Sequence, residues 1–78
     1  MISVLVAKHQ RLVLWGCEVG DDRITAQLFY CDLHLPKSIK VSNRAGDRVY
    51  QIEIPEALQG QTFPKKGQKI QLRIIKDA

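Results

Sequence analysis

The sequence predicts an all-β fold, and three observations lead to that prediction. Short runs rich in Val, Ile and aromatic residues recur along the chain, as is typical of strands. Clusters of Gly, Asp, Asn and Pro separate these runs at short intervals. Several runs also alternate apolar and polar side chains. A closed or partly open barrel removes the free edges of a sheet, so we expect a five- or six-stranded SH3-like or OB-like barrel, with a two-sheet β-sandwich as the alternative.

The first half of the chain contains three predicted strands. The first is Ile2–Lys8 and the second is Arg11–Glu18, with only His9-Gln10 between them. Neither of these two residues favours positive φ, so the segment is either one long strand bent by a bulge or a hairpin with an unusual turn. Gly20-Asp21-Asp22 is a strong turn signal and precedes the third strand, Arg23–Asp32.

The second half contains three more predicted strands, Ser38–Asn43, Arg48–Ile54 and Lys69–Lys76. The turn Arg44–Asp47 joins the first two, and Gly46 supplies its permissive backbone position. Pro55–Gly60 predicts one short helical turn, because Pro suits the first position of a helix and Gly its end. The side chains predicted to point inward are Ile39, Val41, Tyr50, Ile52, Ile54, Ile70, Leu72 and Ile74.

The hairpin from Arg11 to Cys31 is apolar on both faces. Pairing its strands about the Gly20-Asp21-Asp22 turn puts one set of side chains on the face toward the core and another set on the second face. A strand with one solvated face alternates apolar and polar residues, so a second apolar face indicates a second burial partner or an exposed binding surface. The core face would hold Leu12, Leu14, Ile24, Ala26, Leu28 and Tyr30, and the second face Val13, Trp15, Cys17, Val19, Phe29 and Cys31.

Seventy-eight residues predict one domain, 1–78, with a thin core.

The pairing of the hairpin strands separates Cys17 and Cys31 by roughly 20 Å along the strands, at about 3.3 Å per residue. A disulfide needs Cα atoms within about 7 Å, so we expect two reduced thiols. Their spacing from His9 and His34 matches no zinc-finger or ribbon pattern, and the sequence predicts no metal and no cofactor.

Charge is unevenly distributed along the chain, whose net charge is +4. Residues 1–34 hold three basic and four acidic side chains, whereas residues 35–78 hold nine basic and four acidic ones. The segment from Gln61 to Lys76 has five basic side chains and no acidic one. Small β-barrels often bind nucleic acid with basic loops and aromatic side chains, although a basic face also serves solubility. The candidate nucleic-acid-binding residues are Phe63, Lys65, Lys66, Lys69, Arg73, Lys40, Arg44 and Arg48.

Two functions follow as hypotheses. The first is a non-catalytic barrel module that binds nucleic acid through its basic C-terminal half. The alternative is a protein-interaction or homodimeric domain that uses the outer face of the 11–31 hairpin, because large apolar patches are rarely left exposed on monomers. The candidate interface residues are Val13, Trp15, Val19 and Phe29.

No catalytic motif is recognisable in the chain, so we expect no enzymatic activity. A P-loop, G-x-G-x-x-G and G-x-S-x-G are all absent from the sequence.

The longest apolar runs fall far short of the roughly 20 residues that span a membrane. The N-terminus lacks the charged start and cleavage site of a signal peptide, which predicts a cytoplasmic protein without a membrane partner.

Overall fold

A computed structural model of the chain describes residues 4–32, 34–56, 58 and 66–75. Six strands form in this part of the chain, close to the predicted positions. They are β1 (Val4–Ala7), β2 (Leu12–Val19), β3 (Arg23–Cys31), β4 (Ser38–Ser42), β5 (Val49–Glu53) and β6 (Lys69–Ile74).

The six strands close into one antiparallel barrel in the order β1-β2-β3-β6-β5-β4. The barrel consists of two three-stranded meanders, β1-β2-β3 and β4-β5-β6. Their outer strands pair at two seams, β3 with β6 and β1 with β4. Within the described ranges, every strand therefore has a hydrogen-bonded neighbour on both sides. The predicted all-β barrel is therefore confirmed, and the sandwich alternative is not observed.

The interior of the barrel is filled by aliphatic side chains from all six strands. Alternation along each strand directs every second residue inward, which is why these side chains meet. No polar or charged side chain among the described residues is buried with them. Three of the predicted inward residues, Ile39, Tyr50 and Ile74, are partly buried against this core. The fully enclosed residues are Leu5, Leu12, Leu14, Cys17, Ile24, Leu28, Val41, Ile52, Ile54 and Leu72.

The connection between β1 and β2 is a hairpin with an unusual turn. His9 has φ 59° and Gln10 has φ 56°, and the N–H of Arg11 bonds to the C=O of Lys8 at 3.4 Å. Two successive positive φ values are the pattern of a type I′ turn, which matches the twist of a two-residue hairpin. The bent-strand alternative is therefore excluded. This segment, Lys8–Gln10, is also the site of the 3₁₀ turn in the structure.

The predicted helical turn at Pro55–Gly60 is only partly within the described residues. The N–H of Leu58 bonds to the C=O of Pro55 at 2.9 Å, and Leu58 is buried. These contacts show a local turn that places one apolar side chain in the core. Residues 57, 59 and 60 lie outside the described part of the chain.

Two irregularities shift the pairing of β2 with β3. Leu14 pairs with Leu28 and Val13 pairs with Tyr30, so Phe29 is an extra residue on β3 and has no partner on β2. On β2, the register shifts between Trp15 and Glu18, at Gly16. Gly16 has φ +61°, a left-handed conformation that suits glycine in a β-bulge.

These bulges overturn four of the face assignments predicted for the hairpin, because an extra residue reverses the alternation beyond it. Cys17 and Cys31 were expected on the second face, but Cys17 is buried and Cys31 packs against the core. Tyr30 was expected in the core and is instead 53% exposed. Val19, expected beside Trp15, pairs with the buried Ile24 and so leaves the face that carries Trp15.

Candidate functional site

A groove of about 610 Å³ lies on the outer surface of the barrel over β1 and β2. Its apolar floor is formed by Val4, Val6 and Val13, which alternate with buried side chains and therefore point outward. Val4 pairs with Trp15, and Val6 pairs with Val13. The second apolar face predicted for the hairpin therefore exists, and β1 extends it.

Two stacked aromatic rings form one wall of the groove. The ring centroids of Trp15 and Phe29 are 4.3 Å apart, and the two planes differ by 18°. Phe29 is half-buried, whereas Trp15 is 47% exposed. The Lys66 ammonium lies 4.3 Å from the centroid of Phe29, within the range of a cation–π contact. Since Trp15 covers one face of Phe29, the lysine occupies the other, and the free aromatic surface belongs to Trp15.

The remaining side chains along the groove are basic or neutral. Lys8 and Arg44 line it together with Gln10, Ser42 and Asn43, and no lining residue is acidic. Lys8 and Arg44 are both exposed. The groove therefore combines an apolar floor and an aromatic wall with positive charge at its edge.

A row of paired residues continues this surface across β3 to β6. Trp15 pairs with Gln27, and Gln27 pairs with Lys69. Neighbouring strands lie about 4.8 Å apart, so the Lys69 backbone is about 10 Å from that of Trp15 on the same outer face. Positive side chains thus flank the Trp15–Phe29 stack on both sides, Arg44 from the turn after β4 and Lys69 from β6.

The structure brings together residues that the sequence assigned to two separate surfaces. Trp15, Phe29 and Val13 were candidates for an apolar interface, while Lys66 and Arg44 were candidates for phosphate binding. All five lie in or beside one groove.

Other predicted residues lie elsewhere. Arg73 pairs with Arg23 and lines a second hollow of about 440 Å³, where Asp22 bonds to Arg23 at 3.3 Å. Lys40 is exposed on β4, and Arg48 is exposed beside the β4–β5 turn. Phe63 and Lys65 lie outside the described residues.

Tyr30 lies on the outer surface, a position that the sequence did not predict. Strict alternation assigned it to the core, whereas the bulge at Phe29 turns it outward, opposite Val13. Nothing in the local sequence marks this bulge, because Phe and Tyr are ordinary strand residues.

The two cysteines are free thiols, as expected. Burial raises the pKa of the Cys17 thiol above its ordinary value, and it does the same at Cys31, where the nearby Asp32 carboxylate adds to the effect. A raised pKa suppresses the thiolate and with it nucleophilic reactivity. Both cysteines are therefore suited to packing rather than to chemistry.

Asp32 stabilises the connection from β3 to β4. Its carboxylate accepts a hydrogen bond from the backbone N–H of His34 at 2.9 Å and lies 3.7 Å from the Arg11 guanidinium. Arg11 also donates to the backbone C=O of His34. Asp32 thus contacts the main chain of His34, and these bonds tie the crossover to the start of β2.

Within the described ranges, no group of three or more His, Cys, Asp or Glu side chains is placed to hold a metal ion. The same residues include no helix that is long and apolar enough to cross a membrane.

Comparison of the chain with protein-family models, curated proteins and solved structures finds no significant match.

Proposed function

We propose that this barrel is a non-catalytic module that binds single-stranded nucleic acid across the outer face of β1, β2 and β3. The observation that supports this function best is the exposed Trp15 ring, stacked on Phe29 in a groove whose charged lining residues are all basic. An aromatic ring provides a stacking surface for any base, and basic side chains track the phosphates.

The ligand in this proposal is an unpaired strand. A base within a duplex is covered on both faces by its neighbours, whereas an unpaired base can be turned out and placed on an aromatic ring. The free face of Trp15 offers that surface. Lys8 and Arg44 on one side, and Lys66 and Lys69 on the other, are placed to meet the backbone on either side of the stacked base.

In this proposal, only part of the basic C-terminal half contacts phosphates. Lys66 and Lys69 belong to the proposed site, whereas Arg73 lies about 13 Å beyond Lys69 along β6 at about 3.3 Å per residue. Arg73 also pairs with Glu53, an acidic residue on the neighbouring strand β5. Arg73 is therefore not part of the proposed site.

Self-association through the same face is the second candidate function. The half-buried Val4, Val6 and Val13 beside an exposed tryptophan support it, because such a face is usually covered. A two-fold dimer centred on the groove, however, would bring the basic edge of one copy against that of the other. Facing like charges oppose association, whereas a polyanion complements them. The charge therefore favours nucleic acid.

The two free thiols are typical of proteins in a reducing compartment. A cytoplasmic location is therefore part of this proposal.

Intrinsic fluorescence tests the proposal directly, because Trp15 is the only tryptophan in the chain. We expect an oligothymidylate of about 12 nucleotides, within the usual site size, to quench its emission in low salt. If three phosphates are neutralised, affinity should fall roughly 20-fold between about 50 and 200 mM salt. Unchanged emission and unchanged anisotropy of a labelled strand at about 50 mM salt would refute the proposal.

Charge-removal variants locate the site. Lys66→Ala and Arg44→Ala should each weaken binding and make the salt dependence shallower, by about 0.7 in the logarithmic slope per lost phosphate contact. Arg73→Ala is the matched control, since it removes the same charge from another part of β6 and should leave affinity nearly unchanged. Equal losses for all three variants would indicate net charge alone. A two-chain mass in light scattering that Trp15→Ala reduces to one chain would favour the homodimer.

A further inference from the structure

Tyr30 is the most exposed aromatic side chain in the described part of the chain, at 53%, and its exposure has a specific structural cause. Leu28 is buried, so regular alternation would turn Phe29 outward and Tyr30 inward. The extra residue at Phe29 breaks this alternation, and both aromatic side chains end on the outer face. Bulges frequently redirect a side chain next to a functional site.

The outward position of Tyr30 removes a large apolar ring from a small hydrophobic core. A chain of 78 residues buries a smaller fraction of its surface than larger domains do. Tyr30 has no hydrogen bond or ring contact with another described side chain. The ring is therefore held by neither a hydrogen bond nor an aromatic partner in the described structure, and about half of the residue's surface is available to a ligand.

Tyr30 lies next to the proposed site in a defined register. It pairs with Val13, whose side chain lines the groove, and Trp15 is two residues farther along β2 on the same face. The Cα atoms of diagonal neighbours of this kind are about 7–8 Å apart. Tyr30 and Trp15 are thus two separate aromatic side chains on adjacent outward rows of the β2–β3 pair.

The presence of two separate rings distinguishes between forms of nucleic acid. Bases inside a helical stack are covered on both faces by neighbours about 3.4 Å away, so such a stack cannot place consecutive bases on both rings. An unpaired strand with splayed bases can, and aromatic side chains on a sheet surface are known to stack successive bases in this way.

We propose that Tyr30 is the second base-stacking residue of this site, so that Trp15 and Tyr30 hold two consecutive splayed bases of one strand. This inference rests on the function proposed above and adds the form of its ligand. The tyrosine ring provides an apolar stacking face, while its hydroxyl remains in water.

The test compares variants of Tyr30 by anisotropy of a fluorescent oligothymidylate of about 12 nucleotides, a length within the usual site size. Tyr30→Leu keeps an apolar side chain on the strand but removes the ring, and we expect affinity to fall at least about fivefold, as for the loss of one stacked base. Tyr30→Phe keeps the ring and should bind within about twofold of the original chain, since its stacking face is retained.

Val49→Ala is the matched control for an exposed apolar side chain. Val49 is 58% exposed on β5, which lies three strands from β2 in either direction around the barrel. Its loss should leave affinity unchanged. Circular dichroism should show the same β spectrum for all three variants, because neither Tyr30 nor Val49 belongs to the core.

The outcomes separate this inference from the proposed function. If the original chain binds, Trp15→Leu weakens binding and Tyr30→Leu does not, the second stacking position is refuted while the nucleic-acid site stands. If the original chain binds no single strand, the proposed function fails and this inference fails with it. A duplex of the same sequence that competes as well as the single strand would also overturn the splayed-base arrangement.

Discussion

At the scale of single residues, Gly16 determines how its neighbours are divided between the core and the surface. Its φ of +61° forms the bulge in β2 that leaves Trp15 outside the barrel and turns Cys17 inside. A Cβ built at this position meets no atom within 4 Å. Glycine is therefore favoured here because the backbone is left-handed, and not because a side chain would lack space.

We expect Gly16→Ala to lower the free energy of unfolding by about 1–2 kcal/mol, the cost of placing an L side chain in the left-handed region. Gly20→Ala is the matched control. Gly20 is not at positive φ, and its added Cβ would lie 3.4 Å from the Arg23 carbonyl oxygen, an ordinary contact. That variant should change stability by no more than about 0.5 kcal/mol. Urea denaturation measures both, and equal losses would contradict the account of the bulge.

At the scale of elements, the β1–β2 turn combines a favourable hairpin geometry with unfavourable residues. His9 and Gln10 both have positive φ, where Asn and Gly are preferred. Two non-glycine residues in this region cost free energy. Lys8 and Gln10 also line the groove, so the strained turn adjoins the candidate site.

Replacing His9-Gln10 by Asn-Gly should raise the free energy of unfolding by about 1 kcal/mol or more, because the strain is relieved without changing the pairing of β1 and β2. His34→Asn is a control in an exposed loop that is not at positive φ, and we expect it to change stability by less than about 0.5 kcal/mol. Thermal and urea unfolding measure the difference. A double variant no more stable than the original chain would contradict a strained type I′ turn.

The sequence predicted the strands well but not their bulges. Alternation in Ile39–Val41, Tyr50–Ile54 and Ile70–Ile74 marks the inward side chains directly, and the structure confirms them. In the β2–β3 hairpin 12 of the 17 strand residues are apolar and they occur on both faces, so alternation carries little information about which face is buried. Counting from the turn therefore assigned Tyr30 to the core and Cys17 to the surface. Glycine at position 16 was the one local signal of a bulge.

At the scale of the whole molecule, barrel closure creates the candidate site. Lys66 and Phe29 are 37 positions apart in sequence and meet because β6 pairs with β3. Arg44 reaches the same groove because β4 pairs with β1. Strand order is not encoded in the periodicity of any one segment. The sequence could therefore predict the apolar hairpin and the basic half of the chain, but not that they share a surface.

The central claim is that the outer face of β1, β2 and β3 binds single-stranded nucleic acid. The measurement that tests it most directly is an amide NMR titration of the ¹⁵N-labelled protein with a short oligothymidylate, with the single Trp15 indole N–H as an internal reporter. We predict that the largest shifts occur at the Trp15 indole and at the amides of Val6, Val13, Phe29 and Tyr30, while Val49 and its neighbours on β5 change little. Shifts confined to β5, or an unchanged Trp15 indole at saturating oligonucleotide, would contradict the claim.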